Sequence, residues 1–488
     1  SGIGKTAVIN EVHKPILEKR GYFISGKFDQ LNRNRPFSAL MQAFERLIEQ
    51  LVKLSSADVS TWKNKILSAL DGNGQVIVDL LPDLTQIIGT QSAIAPLSGI
   101  AAQNRFNQVF QKFVQVFTQP EHPLVLFLDD LQWADLASLQ LLEILATQCP
   151  GHLLLLGAYR DNEVFPAHPF NKMVETLTAL NAPAQQITLS PLPLDTLNQL
   201  TADTLQCSPE DASALTRLIY NQAQGNPFFT TQYLKSLQKE GLITFELEAQ
   251  CWQYDLEKIS QATLTDDVVA LMLQQLRQLS RPAQNALKLA ACIGNVFDLQ
   301  TLSIVRDCPQ HELAAALWEA LQAGMILPVN EAYKFYQPSA TECDRGTATS
   351  PSIASEALSS HETTEALTRT VPIYRFLHDR VQQAAYALIP AAEKQQTHTA
   401  IGQLLLNRLS KQEQAEQLFD IVNHLNQGNT QTINNEEQQT LAKLNLRAGT
   451  KALRSAASKT AYVYYHAGLS ALPDTAWEKH YSLMYALR

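Results

Sequence analysis

The sequence predicts an α/β chain: a doubly wound parallel sheet comes first, and a longer, almost entirely helical stretch follows it. Three observations lead there. Gly2-Ile3-Gly4-Lys5-Thr6 opens an amphipathic segment that runs into a short strand, Tyr22–Ser25. A continuous apolar run, Leu124–Leu128, ends in Asp129-Asp130, and another, Leu153–Leu156, leads to Arg160. Unbroken apolar runs are what strands covered on both faces look like. Beyond about residue 190 the strand signals thin out and helical periodicity takes over.

The first residues carry the chemistry. Ser1-Gly2-Ile3-Gly4-Lys5-Thr6 reads as the second half of a phosphate-binding loop, G-x-x-x-x-G-K-[ST]. In such a loop the glycines let successive backbone N–H groups face phosphate oxygens. The Lys reaches the β/γ-phosphates and the Thr hydroxyl ligates Mg²⁺. The pattern also wants a Gly and a strand upstream of Ser1, so the chain is expected to be a fragment of a longer protein. The helix expected over Gly4–Arg20 sets Ala7, Val8, Val12, Ile16 and Leu17 on one stripe, and Gly21 ends it. Another amphipathic helix is expected over Pro36–Leu54, and residues 58–118 read as a mostly helical insertion.

An acidic pair at the end of a buried strand is what a Walker B strand presents. Asp129 would then hold the Mg²⁺ shell, and Asp130 would polarise the attacking water. Two helix-capping aspartates are the alternative. Asp135 is expected to cap the next helix. Arg160 either senses the γ-phosphate through a bidentate contact or is a surface residue after a strand. Gln186–Leu189 is expected to give a fourth strand.

In the second half, Gln224-Gly225-Asn226-Pro227 reads locally as a helix stop, a cap and a Pro-led helix start. Leu242–Phe245 and Trp252–Tyr254 look like a small hairpin. Helical patterns over Thr263–Leu279, Pro282–Ala291, Asp298–Arg306 and Glu312–Ala323 precede strands expected at Met325–Val329 and Tyr333–Tyr336, which suggests a winged helix. The helix in the DNA-reading position, around Glu312–Leu321, carries Glu312 and Glu319 and no Lys or Arg, which argues against reading DNA. Residues 337–370 lack periodicity and are expected to be a disordered insertion. His378, before Asp379, is locally a structural residue. Leu444–Ser455 and Lys459–Leu472 read as one tetratricopeptide-like helical pair, a kind of unit that stacks in arrays.

Totals bound the rest. The 488 residues are enough for two to four domains, and 45% apolar with 17% charged residues is ordinary for a globular chain. A net charge of −9 disfavours nucleic acid and anionic membranes as principal partners. Six scattered cysteines, with no C-x-x-C, read as reduced thiols of a cytoplasmic chain. There is no 18-residue apolar run and no signal peptide.

The order of motifs resembles the AAA-type ATPase module of the STAND class, the signal-transduction ATPases with numerous domains. More narrowly, it is similar to the central region of large cyanobacterial-type multi-sensor signalling kinases. The carrying stretches are Ser1–Thr6, Gly21–Gln30, Leu128–Asp135, Gly157–Glu163, Gly225–Phe229, Ala290–Asp298 and Phe376–Tyr386. The resemblance implies a P-loop NTPase core over 1–190, a helical lid over 191–262 and a winged-helix domain over 263–395. Tetratricopeptide-like repeats over 396–488 would follow.

It also implies ATP or ADP with Mg²⁺ as cofactors. Gly2, Ile3, Gly4, Lys5 and Thr6 would take the phosphates, and Thr6 and Asp129 the metal. Asp130 and Arg160 would be catalytic. Pro227 would pack on adenine, and His378 would touch the β-phosphate of ADP. Implied partners are flanking kinase and GAF domains of the same polypeptide, self-association, and a peptide on the repeats. The function expected is a slowly hydrolysing nucleotide switch. A scaffold that binds nucleotide without turnover and a DNA-associated ATPase are the alternatives.

Overall fold

The computed structural model describes the chain except for residues 1, 31–32, 96, 98, 150, 248–250, 262–267, 337–370, 429–433 and 474. The insertion expected at 337–370 and the start of the helix expected from Thr263 therefore lie outside the described residues. The chain divides into two compact units. The first comprises Ser1–Ser190, Leu418–Asn426 and Thr430–Arg488, so it is assembled from both ends of the chain. The second comprises Pro191–Gln417 and Gln427–Asn429.

The first unit is built on a parallel sheet of β1 (Tyr22–Lys27), β2 (Leu124–Asp129) and β3 (Leu153–Gly157), hydrogen-bonded in that order. The register pairs Tyr22 with Leu124 and Lys27 with Asp129, and Leu124 with Leu153. Leu124, Val125 and Leu126 are fully buried, as the unbroken apolar run requires, whereas Leu154 of the edge strand β3 is 45% exposed. Helix Ser38–Val52 packs on β1 and β2 with Leu40, Phe44, Leu47 and Leu51 buried. Gly26 makes that approach possible: a Cβ there would lie 1.8 Å from the Ala39 carbonyl oxygen. Phe106, Phe110 and Phe113 of helix Gly99–Gln115 add an aromatic layer against Phe37 and Phe44.

The C-terminal helices complete this unit. Asn435–Arg454 and Ser458–Ser470 pack on each other, with Ala448, Ala452 and Ala461 buried at small-residue positions. Asn426 and Asn445 exchange a reciprocal pair of amide hydrogen bonds at 2.9 Å. Tyr464, fully buried, donates its hydroxyl to the Asn34 carbonyl at 3.0 Å and lies 2.9 Å from the Asn423 side-chain amide. One phenolic hydrogen cannot serve two acceptors, and Asn423 Nδ2 is otherwise buried without an acceptor. Turning the amide over lets Nδ2 donate to the phenol oxygen while the phenol donates to the Asn34 carbonyl. Arg35 pairs with Asp420 at 3.2 Å beside this contact.

The second unit has one core, in which Leu197, Leu215, Leu271, Leu287, Leu317 and Val381 are all fully buried. Its N-terminal part pairs helices Leu194–Leu205 and Pro209–Ala223, then Pro227–Lys239, then the antiparallel hairpin of β4 (Ile243–Glu246) and β5 (Cys251–Tyr254). Next come helix Arg281–Ile293, β6 (Val296–Asp298), helices Leu299–Arg306 and Gln310–Gln322, β7 (Ile326–Pro328) and β8 (Ile373–Phe376). The last three strands form an antiparallel sheet in the order β6-β8-β7.

Three expectations are corrected. Gln186–Leu189 forms no strand, and Ile187 is 78% exposed. Tyr333–Tyr336 belongs to a 3₁₀ helix, Glu331–Tyr336, and β7 pairs instead with β8. Asn330 closes the connection, donating to the Val371 carbonyl and accepting from the Ile373 N–H. The segment read as one helix over Gly4–Arg20 is two, Lys5–Asn10 and His13–Glu18. Its stripe is only partly covered: Val12 and Ile16 are half-buried, whereas Val8 is 49% and Leu17 70% exposed.

Candidate nucleotide site

In a parallel sheet the chemistry gathers at the carboxyl ends of the strands. Here those ends bring together Lys27 of β1, Asp129 and Asp130 of β2, and Arg160 just beyond β3. Asp130 sits in the left-handed region at φ 56°, an uncommon conformation for a non-glycine residue, and is 2% exposed. Its N–H donates to Asp129 Oδ1 at 2.9 Å, so the two carboxylates are held in a fixed relation. Leu131 N–H donates to the Ala158 carbonyl at 2.9 Å and ties this turn to the segment after β3.

Asp130 is ion-paired twice. Lys27 Nζ lies 3.1 Å from Oδ2, and Arg160 Nε lies 3.4 Å from Oδ1. Gln132 Nε2 donates to Oδ1 at 2.8 Å, and the Gln132 carbonyl-type oxygen accepts the Arg160 backbone N–H at 3.1 Å. Arg160 is 4% exposed. Its Nη1 donates to Glu163 Oε1 at 2.7 Å, and its guanidinium carbon lies 4.8 Å from the centre of the Trp133 ring. A buried cation is tolerable only with such partners.

Asp135 caps helix Leu136–Gln148, accepting from Ser138 N–H at 3.0 Å and from the backbone N–H of Phe37 at 3.1 Å. Burial pushes its carboxyl above the ordinary carboxylate value, while these hydrogen bonds pull it back. Phe37, at φ 59° and 1% exposed, caps helix Ser38–Val52, so one carboxylate fixes the starts of two helices.

The N-terminal residues fit a phosphate loop locally. Gly2 and Gly4 have φ of 79° and 101°, the conformation that turns consecutive N–H groups to one side, and Lys5 and Thr6 follow at the start of a helix. A Cβ on Gly4 would meet nothing within 4 Å, so the backbone there stands open to a ligand. Thr6 is exposed. Thr hydroxyl and Asp carboxylate are hard oxygen donors of the kind Mg²⁺ takes. Among the described residues there is no cluster of three or more His, Cys, Asp or Glu able to hold a metal by themselves.

The other two expected site residues belong to the second unit, where Phe228, next to Pro227, stacks on His378. Pro227 is the first residue of helix Pro227–Lys239, whose cap, Asn226, accepts from Phe229 N–H at 3.1 Å. Gly225, at φ 72°, presses on the Leu192 backbone, where a Cβ would come within 2.3 Å of its carbonyl oxygen. His378 caps helix Asp379–Ala387 through Nδ1, which accepts from Arg380 N–H at 3.1 Å. Its ring stacks on Phe228 at 4.2 Å and 22°.

Lys27, Gln132, Trp133, Glu163 and Phe228 were missed as individual residues, although all stand inside stretches that carried the resemblance. Register could have found Lys27, which ends its strand as Asp129 ends the neighbouring one.

Residues 1–156 match the AAA ATPase domain family. The chain is 28% identical to hybrid signal transduction histidine kinase G of Dictyostelium discoideum, in an alignment covering 99% of this chain and 16% of that protein. It is 23% identical to histidine protein kinase 1 of Candida albicans over 29% of this chain and 6% of that one. The chain thus spans less than a fifth of the length of these curated relatives. A crystal structure of a STAND protein with a tetratricopeptide repeat sensor from Pyrococcus horikoshii aligns with all of this chain and 53% of its own, at a TM-score of 0.44 and 12% identity. Among the described residues, no helix is long and apolar enough to cross a membrane.

Proposed function

We propose that this chain is the nucleotide-responsive ATPase module, of STAND type, of a cytoplasmic multidomain sensor kinase. One observation carries the reading. The carboxyl ends of three parallel strands bring Lys27 and Arg160 onto Asp130, next to Asp129, and all but Arg160 lie within residues 1–156, which match the AAA ATPase domain.

In this reading the main chain of Gly2, Ile3 and Gly4 and the ammonium of Lys5 bind the phosphates of ATP. Thr6 and Asp129 would hold Mg²⁺, which would supply neutralisation of phosphate charge. Asp130 orients the attacking water. Arg160 senses the terminal phosphate and so gives ATP and ADP different interaction energies, which is what a switch requires. Pro227 and His378 are proposed as the second unit's nucleotide-responsive residues. The tetratricopeptide-like helices would present a peptide-binding or self-association face. The output would pass to flanking kinase domains, in keeping with the histidine kinases to which the chain is similar. The test is ATP binding by Lys5→Ala in the full-length protein. A loss of affinity of about a hundredfold is expected, and unchanged affinity refutes the site.

A second reading, nucleotide binding without turnover, is favoured by the two cations on Asp130, since a carboxylate so engaged is a weaker partner for water. Single-turnover ATP hydrolysis separates the two.

A further inference from the structure

We propose that Glu163 and Trp133 are positioning residues for Arg160, and that their grip sets how strongly the site separates ATP from ADP. The inference rests on the nucleotide site proposed above and adds to it residues to which no role has been given.

Glu163 is a bridge. Its two carboxylate oxygens are used for two different jobs: Oε1 accepts from Arg160 Nη1 at 2.7 Å, and Oε2 accepts from the Trp133 indole N–H at 3.0 Å. The indole that steadies Glu163 also lies against the guanidinium, 4.8 Å away. Trp133 is itself 4% exposed and stands in the short 3₁₀ turn Leu131–Trp133 that follows Asp130. Glu163 ends the matching turn after β3, Asp161–Glu163. The two turns therefore form a frame around one side chain. Asp130 supplies charge 3.4 Å from Nε without a hydrogen bond, Glu163 accepts from Nη1, and Trp133 lies against the guanidinium.

A free Arg side chain samples many rotamers, and a planar fork recognises phosphate bidentately best when its plane is set beforehand. A salt bridge meant solely for stability would not need a carboxylate shared between the cation and a buried indole. Glu163 is 29% exposed at the side chain, so it can yield when a stronger anion approaches, whereas Asp130, at 3%, cannot.

The experiment measures equilibrium binding of mant-ATP and mant-ADP to the full chain and to Glu163→Ala, Glu163→Gln, Trp133→Phe and Arg160→Ala, alongside melting temperatures. The ratio of the two affinities is expected to move about tenfold toward one in Glu163→Ala. Glu163→Gln keeps an acceptor for Arg160 and is expected to retain part of the ratio, and Trp133→Phe, which keeps a ring face but loses the N–H, should fall between. A ratio unchanged in all three Glu163 and Trp133 variants, while Arg160→Ala abolishes it, overturns the proposal and leaves the sensor role of Arg160 standing. A ratio unchanged in Arg160→Ala overturns both. Should Glu163→Ala fail to fold, Glu163→Gln and Trp133→Phe read the same quantity. A melting temperature lowered with the ratio intact marks a purely structural role and also overturns it.

Discussion

Replacing Tyr464 by Phe removes a single hydroxyl from the place where the C-terminal helices meet the loop after β1. The ring stays, so no cavity forms and the packing against Phe419 at 5.6 Å persists. What is lost is the bond to the Asn34 carbonyl at 3.0 Å and the partner of the Asn423 amide at 2.9 Å. Asn34 is exposed, so its carbonyl regains water and that loss is small. Asn423 is 4% exposed and does not. A buried polar group left without a partner costs about 1–3 kcal/mol, so about 2 kcal/mol is expected here. For a unit of this size, that lowers the melting temperature by about 4–8 °C.

Scanning calorimetry on the first unit's transition reads it directly. The phenol has a second signature. Burial holds its pKa far above the ordinary value of 10. The folded state therefore keeps a proton that the unfolded state releases once pH passes 10, and stability present below that point is lost above it. Tyr464→Phe should be less stable than the parent at pH 7 and lose less on going to pH 11. A shift under 1 °C at pH 7 would show that the hydroxyl contributes nothing, and the reasoning from its buried partner would fail.

Two further outcomes follow from local geometry. Gly26→Ala drives a methyl group to 1.8 Å from the Ala39 carbonyl oxygen, backbone against backbone, so helix Ser38–Val52 must move off β1. A cost above about 4 kcal/mol is expected, seen as insoluble protein or a collapsed denaturant midpoint. In the second unit, burial and then the charge of Lys394 hold the His398 imidazole below its ordinary pKa of 6.5. Below that pH the unfolded state binds a proton that the folded state resists, so stability is expected to fall as pH drops through 6.5. His398→Gln should flatten that limb in urea titrations at pH 5 and pH 7, and an unaltered slope would count against it.

The sheet was legible because its strands announce themselves. Leu124–Leu128 is apolar without interruption, and only a strand buried on both faces needs that. Helix starts were legible where a side chain caps them, as at Asp135, Asp298 and Asn226. Gln186–Leu189 misled because a β-branched pair has strand propensity even in a polar context. Strand β8 was hidden because Ile373-Tyr374-Arg375-Phe376 is short and its partners, Val296–Asp298 and Ile326–Pro328, lie far off in sequence.

Of the proposed site, the sequence made legible that Asp129, Asp130 and Arg160 stand at strand ends. The site was not legible at Glu163 or Lys27, whose roles come from distances that only the register of the sheet supplies. The meeting of His378 with Phe228 is likewise invisible in one dimension, since nothing local at either residue asks for the other.

The first unit's assembly from both ends of the chain has a consequence for how the protein is made. Asn34 and its partner Tyr464 lie 430 positions apart. At roughly 5–20 residues per second, a ribosome needs about 20 to 90 s between delivering one and delivering the other. During that interval the entire second unit emerges, while Asn34 and helix Leu136–Gln148 wait for the C-terminal helices that pack on them. Mutations that weaken the late contact at Tyr464 or Asp420 should lower yield in cells more than their effect on the finished molecule would suggest.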